Sequence, residues 1–503
     1  ASGAVVNDIL EVVAYTTFDT ANVTASSGFT VTGNLSVDGG TIKLDGNYPV
    51  GTDNVALGNT ALDSIQSGGN YNVAVGANAG TAITTGDSNV AIGDVALTAN
   101  TTASNNVAVG SVAMNVNTTG GNNVAVGTQS LRNNTTASYN TAVGKSAGNA
   151  VTTGGYNTLV GGLTGDALTT GEENVAMGYQ ALGSATKSDN NVAIGNSALE
   201  SLNHTSQTNS YNTAVGYAAG FAVTTGIKNT FIGGLSGDAT TDADFNVGVG
   251  HNTLTTNVLG SRSVAVGYTA LEAQNPASAV DMYNTAVGHA AGFAVTTGTE
   301  NTFIGGRAGA ATTTGGNNTF VGTDAGDANT TASNNTGIGR DSLTDNTTGE
   351  NLTAVGEGSL ANNTTADNNT AVGKNAGLLV TTGTENTFIG SLAGDAITTS
   401  NYNTALGSGA LGADDLGSFS TAIGRGALAN QNYASATNSF NTAVGANAGE
   451  QITTGTDNTL IGGLCGDAIT DGNTNTAMGS YALTTNQRGD RNTAIGHEAL
   501  KVM

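Results

Sequence analysis

A five-residue motif, Asn-Thr-Ala-Val-Gly, constrains this chain more than any other feature, because near-copies of it recur at an almost constant interval from Asn54 to Gly496. There are 26 copies, and the step from one to the next is 17, except for one step of 18 and three of 21. A fixed internal period is typical of a stacked repeat and overrides the number of domains expected from length. The 503 residues therefore predict one long array, 51–503, preceded by a short module, 1–50.

The repeat unit restricts a few of its positions strongly. The first position is Asn in 23 copies, the fourth is always apolar and the fifth is always Gly, while the ninth is only Leu, Met or Gly. A helix does not suit so regular a Gly or so many Thr and Asn, whereas two short strands and two turns fill a unit of this length. The sequence predicts an all-β fold, a parallel β-solenoid or β-roll of about 26 coils. The Asn column is expected to hydrogen-bond from coil to coil.

Alternation within the first strand predicts two apolar columns on opposite faces. Position four, such as Val143, is expected to fill the coil, and position three, such as Ala142 or Phe388, to lie on the other face. An exposed apolar column on a polar protein favours burial against sister chains. With a rise of ~4.8 Å per coil, the array would form a rod on the order of 120 Å long.

The composition excludes two classes of partner. The formal net charge is −24 with only 13 Lys and Arg, so the chain lacks the basic footprint of a nucleic-acid or anionic-lipid binder. No run of 18 apolar residues occurs, so membrane insertion is not expected. The single cysteine, Cys465, occupies a position that holds small residues in other units, and it is interpreted as a small buried residue.

Side chains for catalysis or metal binding are scarce. The histidines show no spacing typical of a metal site or of a Ser-His-Asp triad, and three of them occupy position six, which is expected to face solvent. The four are His204, His251, His289 and His497. The adjacent acidic pairs Glu172–Glu173 and Asp414–Asp415 are interpreted as turn residues, not as the paired carboxylates of a glycosidase. We expect no enzymatic activity, no metal and no cofactor.

One group of acidic residues leaves an alternative open. These residues follow Gly in their units, and in a trimer each could form a ring of three carboxylates around a hard cation. The favoured interpretation is a solvated turn residue. The group consists of Asp166, Asp238, Asp327, Asp395 and Asp467.

The three longest units, from which the step to the next copy is 21, are the candidate contact sites. Their additional residues lie within 200–211, 272–283 and 429–440, and each stretch carries Asn, Ser and an aromatic, which are residue types that hydrogen-bond to and stack on sugars. The candidate receptor contacts are Asn203, His204, Gln207, Asn209, Asn275, Asp281, Asn432 and Tyr433. The aromatics that close these stretches, Tyr211, Tyr283 and Phe440, are interpreted as caps of the local core.

The segment before the array, 1–50, does not follow the repeat. An apolar stretch at 5–15 predicts a short helix, and alternation around a Gly-Gly turn at 29–44 predicts a β-hairpin. A solenoid needs its terminal coil covered, because an exposed edge would pair with another chain. We interpret this segment as a cap or attachment module.

The repeat unit Asn-x-Ala-(Val/Ile)-Gly-x-x-Ala-(Leu/Gly) resembles the head repeat of trimeric autotransporter adhesins, although it is longer than the commonest adhesin unit. This resemblance covers about nine-tenths of the chain. It implies a left-handed parallel β-roll shared by three chains, intertwined or side by side as a homotrimer.

Two segments before the array, 6–15 (VNDILEVVAY) and 33–46 (GNLSVDGGTIKLDG), resemble tail-fibre proteins of marine bacteriophages. This resemblance implies an extracellular, homotrimeric virion fibre. Other tail components would hold the fibre near its N-terminus, and its distal part would meet a glycan or protein on the host surface. The alternative is the head of a bacterial trimeric surface adhesin, and a polysaccharide depolymerase ranks third.

Overall fold

The computed structural model describes residues 50–502, which form a parallel β-solenoid of 26 coils. This confirms the predicted fold class. The helix expected at 5–15, the hairpin expected at 29–44 and the attachment module that they would form lie outside the described residues. Each coil is named below by the number of its first residue, so that coil 140 begins at Asn140.

Each coil contributes one strand of three residues, from positions two to four, to a 26-stranded sheet. The strands are β1 (Val55–Leu57), β2 (Val73–Val75), β3 (Val90–Ile92), β4 (Val107–Val109), β5 (Val124–Val126), β6 (Thr141–Val143), β7 (Thr158–Val160), β8 (Val175–Met177), β10 (Val192–Ile194), β12 (Thr213–Val215), β13 (Thr230–Ile232), β14 (Val247–Val249), β16 (Val264–Val266), β18 (Thr285–Val287), β19 (Thr302–Ile304), β20 (Thr319–Val321), β21 (Thr336–Ile338), β22 (Thr353–Val355), β23 (Thr370–Val372), β24 (Thr387–Ile389), β25 (Thr404–Leu406), β27 (Thr421–Ile423), β29 (Thr442–Val444), β30 (Thr459–Ile461), β31 (Thr476–Met478) and β32 (Thr493–Ile495).

Six further strands of two residues form three small parallel sheets, one at each enlarged coil. They are β9 (Ser188–Asp189) with β11 (Thr208–Asn209), β15 (Gly260–Ser261) with β17 (Val280–Asp281), and β26 (Gly417–Ser418) with β28 (Thr437–Asn438).

The coils stack in register, so that each position of the repeat becomes a column along the rod. Between β6 and β7, for example, Ala142 pairs with Leu159 and Val143 with Val160. A residue type that recurs at the period of the repeat therefore contacts its own kind in the neighbouring coils.

The Asn column forms the predicted ladder inside the solenoid. The backbone N–H and Nδ2 of Asn157 both donate to Oδ1 of Asn140, at 2.9 and 3.1 Å, and Nδ2 also donates to the carbonyl of Gly171 at 2.9 Å. Both Asn side chains are buried. The amide thus satisfies backbone groups within its own coil as well as linking adjacent coils.

The assignment of position four to the coil interior is wrong. Ala142 at position three is 0 % exposed, whereas Val143 at position four is 37 % exposed. The buried Asn explains this result, because positions one and three of an extended segment point to the same face. We call the position-three side chains the inner column and the position-four side chains the outer column.

Bulky members of the inner column fit because glycines make room for them in two coils. A Cβ added at Gly394, position nine of the same coil, would lie 2.4 Å from Phe388 Cε1, and one at Gly377, in the preceding coil, 2.8 Å from Phe388 Cδ2. Leu411 occupies position nine elsewhere at a φ of 53°, close to the 58° of Gly394. Space, not backbone conformation, therefore determines the choice between Leu and Gly at this position.

The invariant glycine at position five has two reasons to be glycine. Gly144 has a φ of 139°, which side chains disfavour, and a Cβ added there would lie 2.2 Å from the carbonyl oxygen of Gly161 in the next coil. Stacking of the coils therefore requires a residue without a side chain at this turn.

Candidate functional site

Each enlarged coil inserts its additional residues as a loop that returns to the rod through a two-residue strand. The three loops belong to coils 191, 263 and 420, which lie four and nine coils apart along the array. With a rise of ~4.8 Å per coil, those intervals correspond to about 19 and 43 Å. The structure therefore does not gather the predicted contact residues into one site.

In the loop of coil 191, the exposed polar residues bind neighbouring coils. Gln207 Nε2 donates to both carboxylate oxygens of Asp189, at 2.7 and 2.9 Å, and to the carbonyl of Thr170 at 3.0 Å. Asn203 Oδ1 accepts a hydrogen bond from a threonine hydroxyl at 2.8 Å, and Asn209 Oδ1 accepts one from an asparagine amide at 3.1 Å. These contacts hold the loop in place.

His204 lies beneath this loop and is only 7 % exposed. Burial lowers its pKa, with the charges of Asp189 and Asp244 acting in the opposite direction. Its Nε2 makes no hydrogen bond with any residue in 50–502. This burial argues against a direct contact between His204 and a receptor.

The other two loops divide in the same way between surface and interior. Asn275 and Asn432 are exposed, and the exposed Asp281 forms a salt bridge of 2.9 Å with Arg262. Tyr433 is only 5 % exposed, and its hydroxyl donates to the carbonyl of Gly455 at 2.8 Å. Tyr433 therefore packs beneath its loop, where a large ligand cannot reach it.

The aromatics that close the enlarged coils do not cap the core, contrary to the sequence-based interpretation. Tyr211, Tyr283 and Phe440 are each 52–53 % exposed and have positive φ angles, which turn their side chains outward. Their column, at the last position of the ordinary coils, contains aromatic stacks in which Phe419 lies 4.9 Å from Tyr402 and 5.2 Å from Phe440. Phe440 therefore stacks on the preceding coil, and the Tyr283 ring lies 6.0 Å from the guanidinium of Arg262.

A buried polar cluster lies next to the loop of coil 420, where the sequence predicted only a turn. Asp414 is fully buried and accepts hydrogen bonds from Gln431 Nε2 at 2.6 Å and from the Gly417 N–H at 2.9 Å. Gln431 also donates to the hydroxyl of Ser420, which stands where most coils carry Asn. Burial raises the pKa of Asp414 to about 6, against the opposing effect of these hydrogen bonds.

A surface cleft that the sequence analysis missed lies beside the enlarged coil 263. It has a volume of about 490 Å³, and its lining includes Tyr268, His289, Phe293, Glu272 and Arg307. The Tyr268 ring is stacked on the His289 ring at 5.5 Å, and it is similarly stacked on a second histidine at 5.8 Å. The histidines of this column face solvent, as predicted for position six.

The sequence does contain a signal for this cleft. The run His-Ala-Ala-Gly-Phe at 289–293 has a counterpart four coils earlier, Tyr-Ala-Ala-Gly-Phe at 217–221. Tyr217 and Phe221 line a smaller cleft of about 200 Å³, together with Leu235 and Asp238. Recurrence of an exposed aromatic pair at this four-coil spacing could have identified both clefts.

The remaining candidate residues, which are the acidic residues and the cysteine, do not come together in one site. Burial raises the pKa of the carboxyls considered above for a cation ring, namely Asp166, Asp238, Asp327, Asp395 and Asp467. Among residues 50–502, no three His, Cys, Asp or Glu side chains form a group that could hold a metal ion. The thiol of Cys465 is buried with Sγ 3.3 Å from the carbonyl of Ala477, as expected for a small core residue.

The same part of the chain, residues 50–502, contains no helix of the length and apolar character needed to cross a membrane. Compared with known protein families and with curated protein sequences, the chain matches none of them.

Proposed function

We propose that this chain is the structural rod of a bacteriophage tail fibre, a non-enzymatic homotrimer of the virion that is exposed to the extracellular medium. The outer column is the observation that carries the proposal. It places an apolar side chain on the outer surface of the sheet in every coil, without interruption over 26 coils. An apolar stripe of this length on a strongly anionic protein favours burial against other copies of the chain.

The outer column contains only Val, Ile, Leu and Met, and many of its members are more than a third exposed. Those members include Leu57, Ile92, Val143, Met177, Ile232, Val287, Ile304, Ile338, Val372, Ile389, Leu406, Met478 and Ile495. Position two, beside the outer column, holds only Val or Thr. The sheet therefore offers a largely β-branched surface along the rod, suited to close packing of parallel rods.

Two resemblances support a homotrimeric assembly and a role in a virion. The repeat resembles adhesin heads built from three chains, and the segments 6–15 and 33–46 resemble marine phage tail fibres. Under this proposal the N-terminal module binds other tail components, and the rod acts as a spacer that also contacts a glycan or protein of the host surface. The alternative function, the head of a bacterial trimeric adhesin, draws on the same outer column and repeat.

The mass of the native particle tests the assembly. Light scattering or native mass spectrometry of the full chain is expected to give three copies, since the outer column requires cover along its whole length. A stable, soluble monomer at micromolar concentration would contradict the trimer.

Labelling of intact particles separates the two functions. An antibody raised against residues 51–503 should decorate the tails of virions in electron micrographs. Decoration of the bacterial envelope in uninfected cells would instead support the adhesin.

A further inference from the structure

The cleft beside coil 263 combines an apolar floor with a few polar groups. Phe293 is exposed, and it lines the cleft with Ala290, Ala310 and the stacked rings of Tyr268 and His289. Its volume, about 490 Å³, is within the range of small-ligand sites. An exposed apolar surface bordered by hydrogen-bonding groups suits the two faces of a pyranose, whose C–H face is apolar and whose hydroxyls are polar.

One face of the aromatic stack is open. The His289 ring has Tyr268 on one side, and on the other side the next coil carries Gly306 at the same position. A Cβ added at Gly306 would contact nothing within 4 Å. The missing side chain leaves a gap about one coil thick, ~4.8 Å, beside the imidazole ring.

The charges around the cleft select against an acidic ligand. Arg307 is held by two carboxylates, with its Nη2 2.6 Å from Asp327 and its Nε 3.3 Å from Asp324. Glu272, which is part of the lining itself, is a third carboxylate at the cleft. The local charge is therefore negative, as is the whole chain at −24, which disfavours uronic or sialic acids.

We propose that this cleft binds a neutral hexopyranose unit of a glycan. Phe293 and the open face of His289 contact the C–H face of the sugar, and Glu272 and Arg307 hydrogen-bond to its hydroxyls. This inference rests on the proposed function and gives its host-recognition role a site and a ligand class. The smaller cleft at Tyr217 and Phe221 has Leu235 in place of the arginine and forms a weaker site.

The rod carries an internal control for this site. Coil 441 also follows an enlarged coil, but at the positions of His289 and Phe293 it has Ala446 and Glu450. In the coil after it, Gly463 corresponds to Gly306 and likewise has nothing within 4 Å of an added Cβ. A side chain added at Gly463 therefore meets the same open surface without an aromatic cleft beside it.

The test is titration of the full-length chain with methyl glycosides of glucose, galactose, mannose and N-acetylglucosamine, followed by calorimetry and ligand-observed NMR. We expect saturable binding of at least one of them. Gly306→Leu, whose Cβ has no neighbour within 4 Å and whose side chain extends into the gap, should weaken binding at least tenfold, as should Phe293→Ala. Gly463→Leu should leave the affinity unchanged.

Three results would overturn this proposal. They are no saturable binding of any of the four glycosides, equal affinity in wild type and Gly306→Leu, or tighter binding of methyl glucuronide than of methyl glucoside. Native mass spectrometry on the same samples reports the assembly separately. A trimer that binds no hexoside contradicts only the proposed sugar site, whereas a monomer contradicts the proposed trimeric fibre.

Discussion

Phe388 and Ile389 are neighbours in the same three-residue strand, yet they lie on opposite sides of the solenoid wall. Phe388 is 0 % exposed and Ile389 is 39 % exposed, although both side chains are large and apolar. Hydrophobicity alone therefore does not distinguish the inner column from the outer column. The polar Asn at position one makes the distinction, because its buried amide bonds fix which face of the strand points inward.

The largest effect is expected from emptying the inner column. Phe388→Ala should lower the free energy of local opening around coil 386 by about 3–5 kcal/mol, because the large ring is lost and the two glycines beside it cannot fill the cavity. Hydrogen exchange followed by mass spectrometry can measure this on peptides from coils 369–403. Ser391→Ala, an exposed change in the same coil, should stay within about 0.5 kcal/mol of wild type.

A second substitution should partly reverse this loss. Gly394→Leu alone would clash with the Phe388 ring, but in the Phe388→Ala background it restores a combination already present in coil 191, where Ala193 accompanies Leu199 and Leu202. The coupling between the two changes should therefore be favourable and at least about 1 kcal/mol. Simple additivity would contradict the packing of Phe388 against Gly394.

An effect of intermediate size on the free energy of unfolding, and one that depends on pH, is expected from the buried carboxyl of Asp414. The folded chain holds the proton of Asp414 more tightly than the unfolded chain does. Its contribution to stability is therefore complete below the ordinary pKa of 3.8 and is lost as the pH rises through about 6. Asp414→Asn removes this loss and should raise the free energy of unfolding by up to about 3 kcal/mol at about pH 8, but by little at about pH 4.

The structure contains a precedent for this substitution. Asn257 occupies the equivalent position before the enlarged coil 263, where its Oδ1 accepts from the Gly260 N–H and from Gln274 Nε2. Urea-induced unfolding of wild type and Asp414→Asn across this pH range checks the prediction. A stability difference between the two that does not vary with pH would contradict it.

The smallest effect on the single chain is expected in the outer column. Ile389→Asp should change local opening of the coil by less than about 1 kcal/mol, because the side chain already faces outward. Under the proposed trimer, the same change places three carboxylates in the interface and should release free chains in native mass spectrometry. Ser391→Asp is the charge-matched control and should remain assembled, whereas an Ile389→Asp variant that stays fully trimeric would place the interface elsewhere.

The sequence was sufficient for features that depend on a column of identical residues. The period predicted the parallel solenoid, and Asn140 and its equivalents predicted the ladder, because in-register stacking brings like residues together. The sequence was insufficient where burial depended on the direction in which a side chain points. Val143 and Tyr283 were assigned to the interior on apolar character, but backbone parity and positive φ point both outward.

Features formed between different columns were also missed. Asp414 is buried because it occupies a position that holds an interior Asn in other coils. The adjacent Asp415 makes the pair resemble an exposed turn in the sequence. The cleft at His289 needs residues from positions six, seven and ten of several coils, and no single unit contains it. Such sites become visible only when the coils are aligned and read across the rod.

The paired glycines around each bulky inner residue have a consequence for how such a rod can change length. All six large residues of the inner column, Leu159, Phe231, Phe303, Phe320, Phe388 and Leu460, have Gly at position nine both in their own coil and in the coil before. In coils 369 and 386, deleting the first would place Phe388 against Leu360, and deleting the second would leave Gly377 without the ring beside it. Repeating the coil with the bulky residue conserves the packing, as the stacked Phe303 and Phe320 of successive coils show. Outside that tandem, recombination that removes a coil and conserves packing must therefore remove both coils of a pair, so the heritable unit of loss is a block of coils and not the single repeat.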